Sequence, residues 1–537
     1  MGITVFWQSL PFLSSVSIGK VSWAAADGTC KRVDRDGNDR PAPVPCQDAR
    51  MSDGILILVA GLLLAAGIAA SLLAGRVRLP SLVLFLGVGM AIGSDGTGWI
   101  DFDDYELARR IGVIALALIL FEGGLAVRWV ELRAIARPAI LLASFGTIIT
   151  AAITGVGAYW LFNLSLLEAL LIGAILSATD GAAIFALLRG SRLRRRVART
   201  LEGEAGLNDP MAVLLVIGFV TWIDQPGYGF GDMLLLFVRQ LGIGLVVGFG
   251  IGLLAVVAFR RLRLGAAGMY PVMAVATAAL AYGSADAMHG SGFLAVYLAG
   301  AVLAAASIPA LHTIEAFHQG AAWVAQITVF LTLGLLVFPS QLGDVWVEGV
   351  VIGLLSVAVA RPVAVIVATA FDRFTAAERL VLGWAGLRGA VPVVLATFPV
   401  IVAIPDSERF FNIVFFAVVI STVLQGATVE PLARRLRVTT TRPALPRPVG
   451  DTGTIQRLGA ELIEWTVEPG DAIAGTMVRD LGLPREALIT LIVRGTQAVP
   501  PRGSTRIAAG DALHMMVRAE AADQVPDLLE RWRDAPG

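Results

Sequence analysis

The chain has 537 residues, 56% of them hydrophobic and 16% charged, and its mean hydropathy is +0.75. Soluble chains carry about 25% charged residues, so this composition excludes a soluble globular protein and describes a polytopic membrane protein. The formal net charge is zero; the total points to no nucleic-acid partner, and only the distribution of charge is informative.

Residues 1–50 differ from the rest. Residues 3–18 are apolar without a basic flank, and a polar stretch with both cysteines, Cys30 and Cys46, follows. The segment reads as an upstream extension with Met51 as the natural start, or as a signal-like segment ending near Ala24-Ala25-Ala26. The membrane body has no cysteine, and the four histidines (His289, His312, His318, His514) show no metal-ligand spacing.

From Ile55 onward, apolar runs long enough to span a bilayer fall at 54–75, 79–94, 107–127, 138–162, 166–188, 203–223, 233–259, 269–288, 291–307, 320–338, 346–370, 379–403 and 409–432. With thirteen spans, every arginine-rich turn (Arg76 and Arg78, Arg128 to Arg137, Arg189 to Arg199, Arg260 to Arg263, Arg373 and Arg379, Arg434 to Arg437) lies on one side. The intervening turns are acidic or polar. The positive-inside rule then puts the C-terminus in the cytoplasm and the N-terminus outside. The expected fold is an α-helical polytopic membrane protein of about 13 transmembrane helices, followed by a small cytoplasmic α/β domain. The expected boundaries are an N-terminal extension at 1–50, a membrane domain at 51–437, a Pro- and Thr-rich linker at 438–453 and a soluble unit at 454–537. In that unit Glu461-Leu-Ile-Glu-Trp-Thr-Val, Ala487 to Arg494 and Asp511 to Val517 read as strands, and Ala519 to Trp532 as a helix.

Acidic residues inside apolar spans are costly and mark ion pathways. Asp180 lies nine residues from Arg189, Asp209 ten from Arg199, and Arg388 nine from Arg379. At a rise of about 1.5 Å per residue, all three sit roughly 13–15 Å deep, near the middle of a core about 30 Å thick. Glu204 and Glu122 are shallower. The backbone is expected to be irregular there: Pro210 follows Asp209, and Ser177-Ala-Thr-Asp-Gly and Gly386-Leu-Arg-Gly-Ala-Val-Pro interrupt spans five and twelve. Two interrupted helices seven spans apart suggest inverted repeats with a site between the halves. Glu204 and Arg388 are expected to form a structural ion pair. Glu122 reads equally as a cation-path residue and as an interfacial charge, Thr179 as a site residue or a back-bonded hydroxyl, and Asn208 as a site residue or packing glue. Arg361 is assigned a structural role.

With these motifs the chain resembles cation:proton antiporters of the NhaP type, in the subgroup called cell volume regulation protein A or potassium/proton antiporter. The residues that carry the resemblance are Phe121-Glu-Gly-Gly-Leu, Ala178-Thr-Asp, Glu202-Gly-Glu-Ala-Gly-Leu-Asn-Asp-Pro-Met-Ala-Val, His289-Gly-Ser-Gly-Phe-Leu-Ala-Val-Tyr and Gly386-Leu-Arg-Gly-Ala-Val-Pro. The resemblance implies a homodimer in a bacterial inner membrane and two broken crossing helices that contain Thr179 and Asp180. It implies Asp209 as the carboxylate that holds proton or cation, with Asn208 beside it, and Glu204 with Arg388 as the intramembrane ion pair. Leu481-Gly-Leu-Pro, Gly503-Ser-Thr-Arg and Ala509-Gly-Asp resemble the RCK C-terminal (TrkA-C) domain, which implies a regulatory unit for a small ligand, a nucleotide or a cation. No cofactor is implied. Two positions depart from the pattern: Ala205 stands where many members carry Ser, and Gly181 where many carry Pro. The closest members also extend into a further C-terminal domain that this sequence does not include.

The resulting expectation is a secondary transporter rather than an enzyme, exchanging K+, with Na+ as the alternative, for H+ by competition at Asp209. Two other classes fit the sequence less well. A cation channel gated by the soluble unit would need a filter, and no TVGYG-like run is present. A receptor with the soluble unit as output would need a catalytic constellation there.

Overall fold

The computed structural model describes residues 24–26, 29–31, 53–77, 80–127, 136–180, 193–262, 264–306, 308–439, 460–495, 497–518, 521 and 524–533. Expectations that fall on other residues, such as Gly181, Arg128, Arg189 and the linker beyond Thr439, lie outside the described residues. Near the N-terminus, Ala24–Ala26 (β1) and Thr29–Lys31 (β2) pair antiparallel.

Fourteen described helices fall on the thirteen predicted spans, the span at 379–403 holding two. They are α1 (Asp53–Val77), α2 (Ser81–Ile92), α3 (Tyr105–Leu125), α4 (Ala136–Phe162), α5 (Leu166–Ile175), α6 (Arg195–Asp224), α7 (Phe230–Arg261), α8 (Met269–Ala287), α9 (Gly292–Ala305), α10 (Leu311–Leu335), α11 (Pro339–Ala368), α12 (Ala376–Trp384), α13 (Ala390–Ile401) and α14 (Ser407–Arg435). Among the described residues, α1, α4, α6, α7, α11 and α14 are long and apolar enough to cross a membrane; α2, α5, α9 and α13 are apolar but shorter. The starts follow ordinary capping chemistry. Asp104 accepts from the Leu107 N–H at 2.9 Å, and Ser165 with Glu168 and Thr375 with Glu378 form reciprocal capping boxes.

Glycines let the helices cross closely, as small residues do in membrane bundles. A Cβ on Gly124 of α3 would collide with the Tyr297 carbonyl of α9, and one on Gly300 of α9 would lie 2.6 Å from the Phe121 carbonyl. In the same way Gly89 of α2 faces Gly334 of α10, whose Cα it would meet at 2.9 Å, so α10 is fastened to α2.

Four interruptions shape the interior. α4 contains a π turn at Leu142–Gly146 and α11 one at Ser356–Ala360. α5 stops at Ile175, and residues 176–180 continue without helical structure; α12 stops at Trp384, and helix resumes at Ala390. The two non-helical peptides are bonded to each other, the Asp180 N–H donating to the Leu387 carbonyl at 2.8 Å. The expected break at Pro210 is not found: α6 is continuous from Arg195 to Asp224 with Pro210 inside it. A proline removes one donor, here that of the Gly206 carbonyl, and a membrane helix packed on its neighbours tolerates that loss.

At its arginine-rich end the membrane domain closes on itself. Leu193 forms an antiparallel bridge with Thr439, and the Arg194 N–H donates to the Val438 carbonyl at 3.0 Å. The segment leaving α14 is thus tied to the segment entering α6.

The soluble unit is a four-stranded antiparallel sheet of Ala460–Thr466 (β3), Ala487–Arg494 (β4), Gln497–Val499 (β5) and Asp511–Arg518 (β6), in the order β3-β6-β4-β5. Helix α15 (Val525–Arg533) covers it. The three predicted strands are present and β5 is additional; the helix begins at Val525, later than expected. Burial along β6 alternates, as a sheet with one packed face requires. Trp465 and Trp532 meet edge to face, and the Trp532 indole donates to the Leu481 carbonyl at 2.7 Å. Arg494 holds the fully buried Asp511 with two hydrogen bonds of 2.7 and 2.8 Å. This pairing keeps the Asp511 carboxyl below its usual range.

Candidate functional site

The site is built where the two non-helical peptides cross beside α6. Leaving the helix at Ile175 strips the end of α5 of donors for its last carbonyls. Arg388, in the opposite peptide, supplies donors just beyond that end: its guanidinium donates to the Ser177 carbonyl at 2.9 Å and to the Ala178 carbonyl at 2.8 Å. A cation at a helix C-terminus also complements the dipole. The second arm of Arg388 donates to Ser356 Oγ, in the π turn of α11, at 2.9 Å. The Arg388 carbonyl in turn accepts from Thr422 Oγ1 of α14 at 2.6 Å.

The crossing is reciprocal. Asp180 occupies the space that a side chain on Gly389 would need, for a Cβ there would overlap its carboxylate. Gly389 is the N-cap of α13, so the Asp180 carboxylate rests against the positive end of that helix. Each broken helix is therefore neutralised by a charged residue from the other.

From α6, Asn208 donates through Nδ2 to Thr179 Oγ1, which locks the helix to the crossing peptide. Asn208 and Thr179 are both fully buried. The next residue, Asp209, is 95% buried. Among the described residues it has no ion-pair partner, and its Oδ1 accepts no hydrogen bond. Asp180 and Asp209 open together onto a cavity of about 430 Å³ of empty space, open mouth included. Its walls are Leu116, Ile119, Leu120 and Gly123 of α3, Ala205 and Gly206 of α6, Gln326 and Phe330 of α10, and Ala390 and Val391 of α13. The arrangement offers carboxylate oxygen to a cation or proton inside an otherwise apolar space.

The expected grouping of Asp180, Asp209, Asn208 and Thr179 is thus a single cluster. Glu122 is not among the cavity-lining residues; its neighbour Gly123 is, and Glu122 stands one position along α3. The expected Glu204–Arg388 pair is corrected. Glu204 pairs with Arg361, which donates to Glu204 Oε2 at 2.6 Å, with both side chains buried. The reason is geometric: Arg388 is turned to the Ser177 and Ala178 carbonyls, while Arg361 starts the helical turn after the α11 π turn and packs against Gly386. Reasoning from sequence missed this role of Arg361, and it missed Gln326 and Ser356. Arg361 carried a usable signal as a second arginine deep in an apolar span; the two neutral residues carried none.

Comparison with known proteins agrees with this architecture. The family described as sodium/hydrogen exchanger, transmembrane, matches residues 60–435, and the TrkA-C domain matches residues 462–530. The protein named K(+)/H(+) antiporter NhaP2 of Shewanella oneidensis is 36% identical over 479 residues, covering 88% of this chain and 83% of its own. The K(+)/H(+) antiporter NhaP of Alkalimonas amylolytica is 38% identical over 477 residues, covering 88% and 82%. Among solved structures, the sodium proton antiporter MjNhaP1 of Methanocaldococcus jannaschii superposes with a TM-score of 0.63 at 23% identity, covering 72% of this chain and 99% of that one. That likeness concerns the fold alone.

Proposed function

Because the chain belongs to the sodium/hydrogen exchanger family, and is a secondary active cation/proton antiporter rather than an enzyme, we propose that it exchanges K+ for H+ by competition at Asp209. The observation that carries this reading is a 95% buried carboxylate without an ion-pair partner among the described residues, opening with a second carboxylate onto one cavity. A proton or a cation can neutralise Asp209, and both cannot do so at once. That exclusion couples the two fluxes without a separate gate. Asp180, held at the α13 N-terminus, supplies further oxygen, and Asn208 with Thr179 keeps α6 in register with the crossing peptides.

The choice of K+ rests on two relatives named K(+)/H(+) antiporters at 36% and 38% identity. Ala205, where a hydroxyl ligand stands in many similar proteins, agrees with a site different from a sodium site. Access alternates in this reading by rocking of the two broken helices and α6 against the helices on the other side of the cavity. The exchanger is proposed to span the bacterial inner membrane thirteen times as a homodimer. The soluble unit lies on the arginine-rich, cytoplasmic side and responds to a small ligand.

The test is fluorescence dequenching in everted vesicles with K+, Rb+, Na+ and Li+ across pH. Wild type should respond to K+ and Rb+, and Asp209→Asn to none of the four. Retained exchange in Asp209→Asn would sink the assignment of the carboxylate. A response to Na+ and Li+ alone would sink the choice of ion.

A further inference from the structure

The cavity has a third polar side chain, from a different wall. Of the twelve described residues that line it, only Asp180, Asp209 and Gln326 have polar side chains. The two carboxylates belong to α6 and the crossing peptide; Gln326 belongs to α10. It is 93% buried, yet among the described residues nothing hydrogen-bonds its carboxamide. Its amide atoms are not sealed in protein; without a protein partner they keep their hydrogen-bonding capacity for what enters the cavity that Gln326 lines. A Gln in a helix such as α10 would do better as Leu or Met if its work were packing.

The wall that bears Gln326 is fixed. One residue on, Ile327 fills the space beside Gly67 of α1, and Gly334 of the same helix meets Gly89 of α2 backbone to backbone. The carboxamide is therefore presented to the cavity by a braced helix, as a pre-organised ligand should be. An amide oxygen is a neutral acceptor and does not titrate. It can coordinate a monovalent cation, and it has no charge through which to bind the competing proton.

We propose that Gln326 is a selectivity-setting ligand of the exchanger: its amide oxygen completes, from the α10 wall, the oxygen set that Asp209 and Asp180 offer to the transported cation. The inference rests on the exchanger reading above. It also gives the cavity a neutral side-chain oxygen, which Ala205, another lining residue, does not offer. Since Gln326 touches the cation and not the proton, it acts on cation affinity and ion preference.

The experiment compares wild type, Gln326→Met and Gln326→Glu in everted vesicles, titrating K+, Rb+, Na+ and Li+ at fixed pH and then varying pH. Gln326→Met keeps the volume and removes the oxygen. It should raise the half-saturating K+ concentration by roughly tenfold, the worth of one hydrogen-bond-strength contact, and change the order or ratio of the four cations. At fixed K+ the acid limb of its pH profile should move to higher pH, because a more weakly held cation competes less well with the proton at Asp209. Gln326→Glu should lower the half-saturating concentration and move the pH profile, because a third carboxylate then competes for the proton. Wild-type half-saturation and ion ratios in Gln326→Met would overturn the inference, as would an equal loss of rate for all four ions at unchanged half-saturation, which a packing role gives. Should Gln326→Met fail to accumulate in the membrane, Gln326→Glu decides alone: unchanged half-saturation and pH profile overturn the inference. Wild-type vesicles without any cation response would instead remove the exchanger reading itself.

Discussion

At the scale of single residues, buried charges here are held in place by specific partners, and each predicts a different phenotype. Glu204 and Arg361 are both out of solvent, so Arg361→Gln leaves a carboxylate uncompensated. Losing one member of a buried pair costs about 3–5 kcal/mol, and thermal unfolding in detergent should show a large fall in midpoint. The double variant Glu204→Gln with Arg361→Gln should recover much of the loss. A wild-type midpoint in Arg361→Gln would remove the pair from the stability of the fold. Gly389→Ala acts differently: its Cβ would overlap the Asp180 carboxylate, so exchange should fall sharply while the protein still accumulates. Transport and yield measured on the same preparation separate the two effects. In the soluble unit, the Arg494 hydrogen bonds hold Asp511 below its ordinary value. A depressed carboxyl contributes stability that is present above its unfolded value, about 3.9, and is lost as pH falls through the folded value. Thermal melting of this unit should therefore weaken below about pH 4 in wild type. Asp511→Asn should melt lower at neutral pH and respond less to acid; identical pH responses would dismiss the pair as the cause.

At the scale of elements, one device occurs twice. A π turn in α4 precedes the break after α5, and a π turn in α11 precedes the break after α12. Such turns gather at functional sites, and the second supplies Ser356 to Arg388. The repetition supports the expected internal repeat. Where helices cross through glycine, bulk should separate them: Gly124→Val sets a branched side chain against the α9 backbone, and loss of both yield and exchange is the expected result. Normal yield and rate would show that this crossing tolerates displacement. The breaks were legible in the sequence because Gly and charge coincide at 177–181, and Gly, Pro and charge at 386–392. The common depth of Asp180 and Asp209 was legible because helix rise is fixed. The partner of Glu204 was not, because a count along the chain gives depth without azimuth, and Arg361 and Arg388 compete for the same carboxylate. Pro210 misled for a related reason: the cost of one lost hydrogen bond is set by the packing around α6, which local sequence does not report. Gln326 gave no signal, since a neutral residue in an apolar helix stands out only when its lack of a partner is seen.

At the scale of the whole molecule, the family match and the fold describe an exchanger body with a small sheet domain attached, and the point of attachment has a mechanical meaning. The bridge between Leu193 and Thr439, with the Arg194–Val438 hydrogen bond beside it, sits directly before α6. α6 is one uninterrupted helix of 30 residues that carries Asp209 halfway along, because Pro210 does not break it. An unbroken helix acts as a pushrod. Between the Arg194–Val438 contact and Asp209, roughly 22 Å along α6, there is no break in the helix, so a displacement at Thr439 has a stiff path to the Asp209 carboxylate.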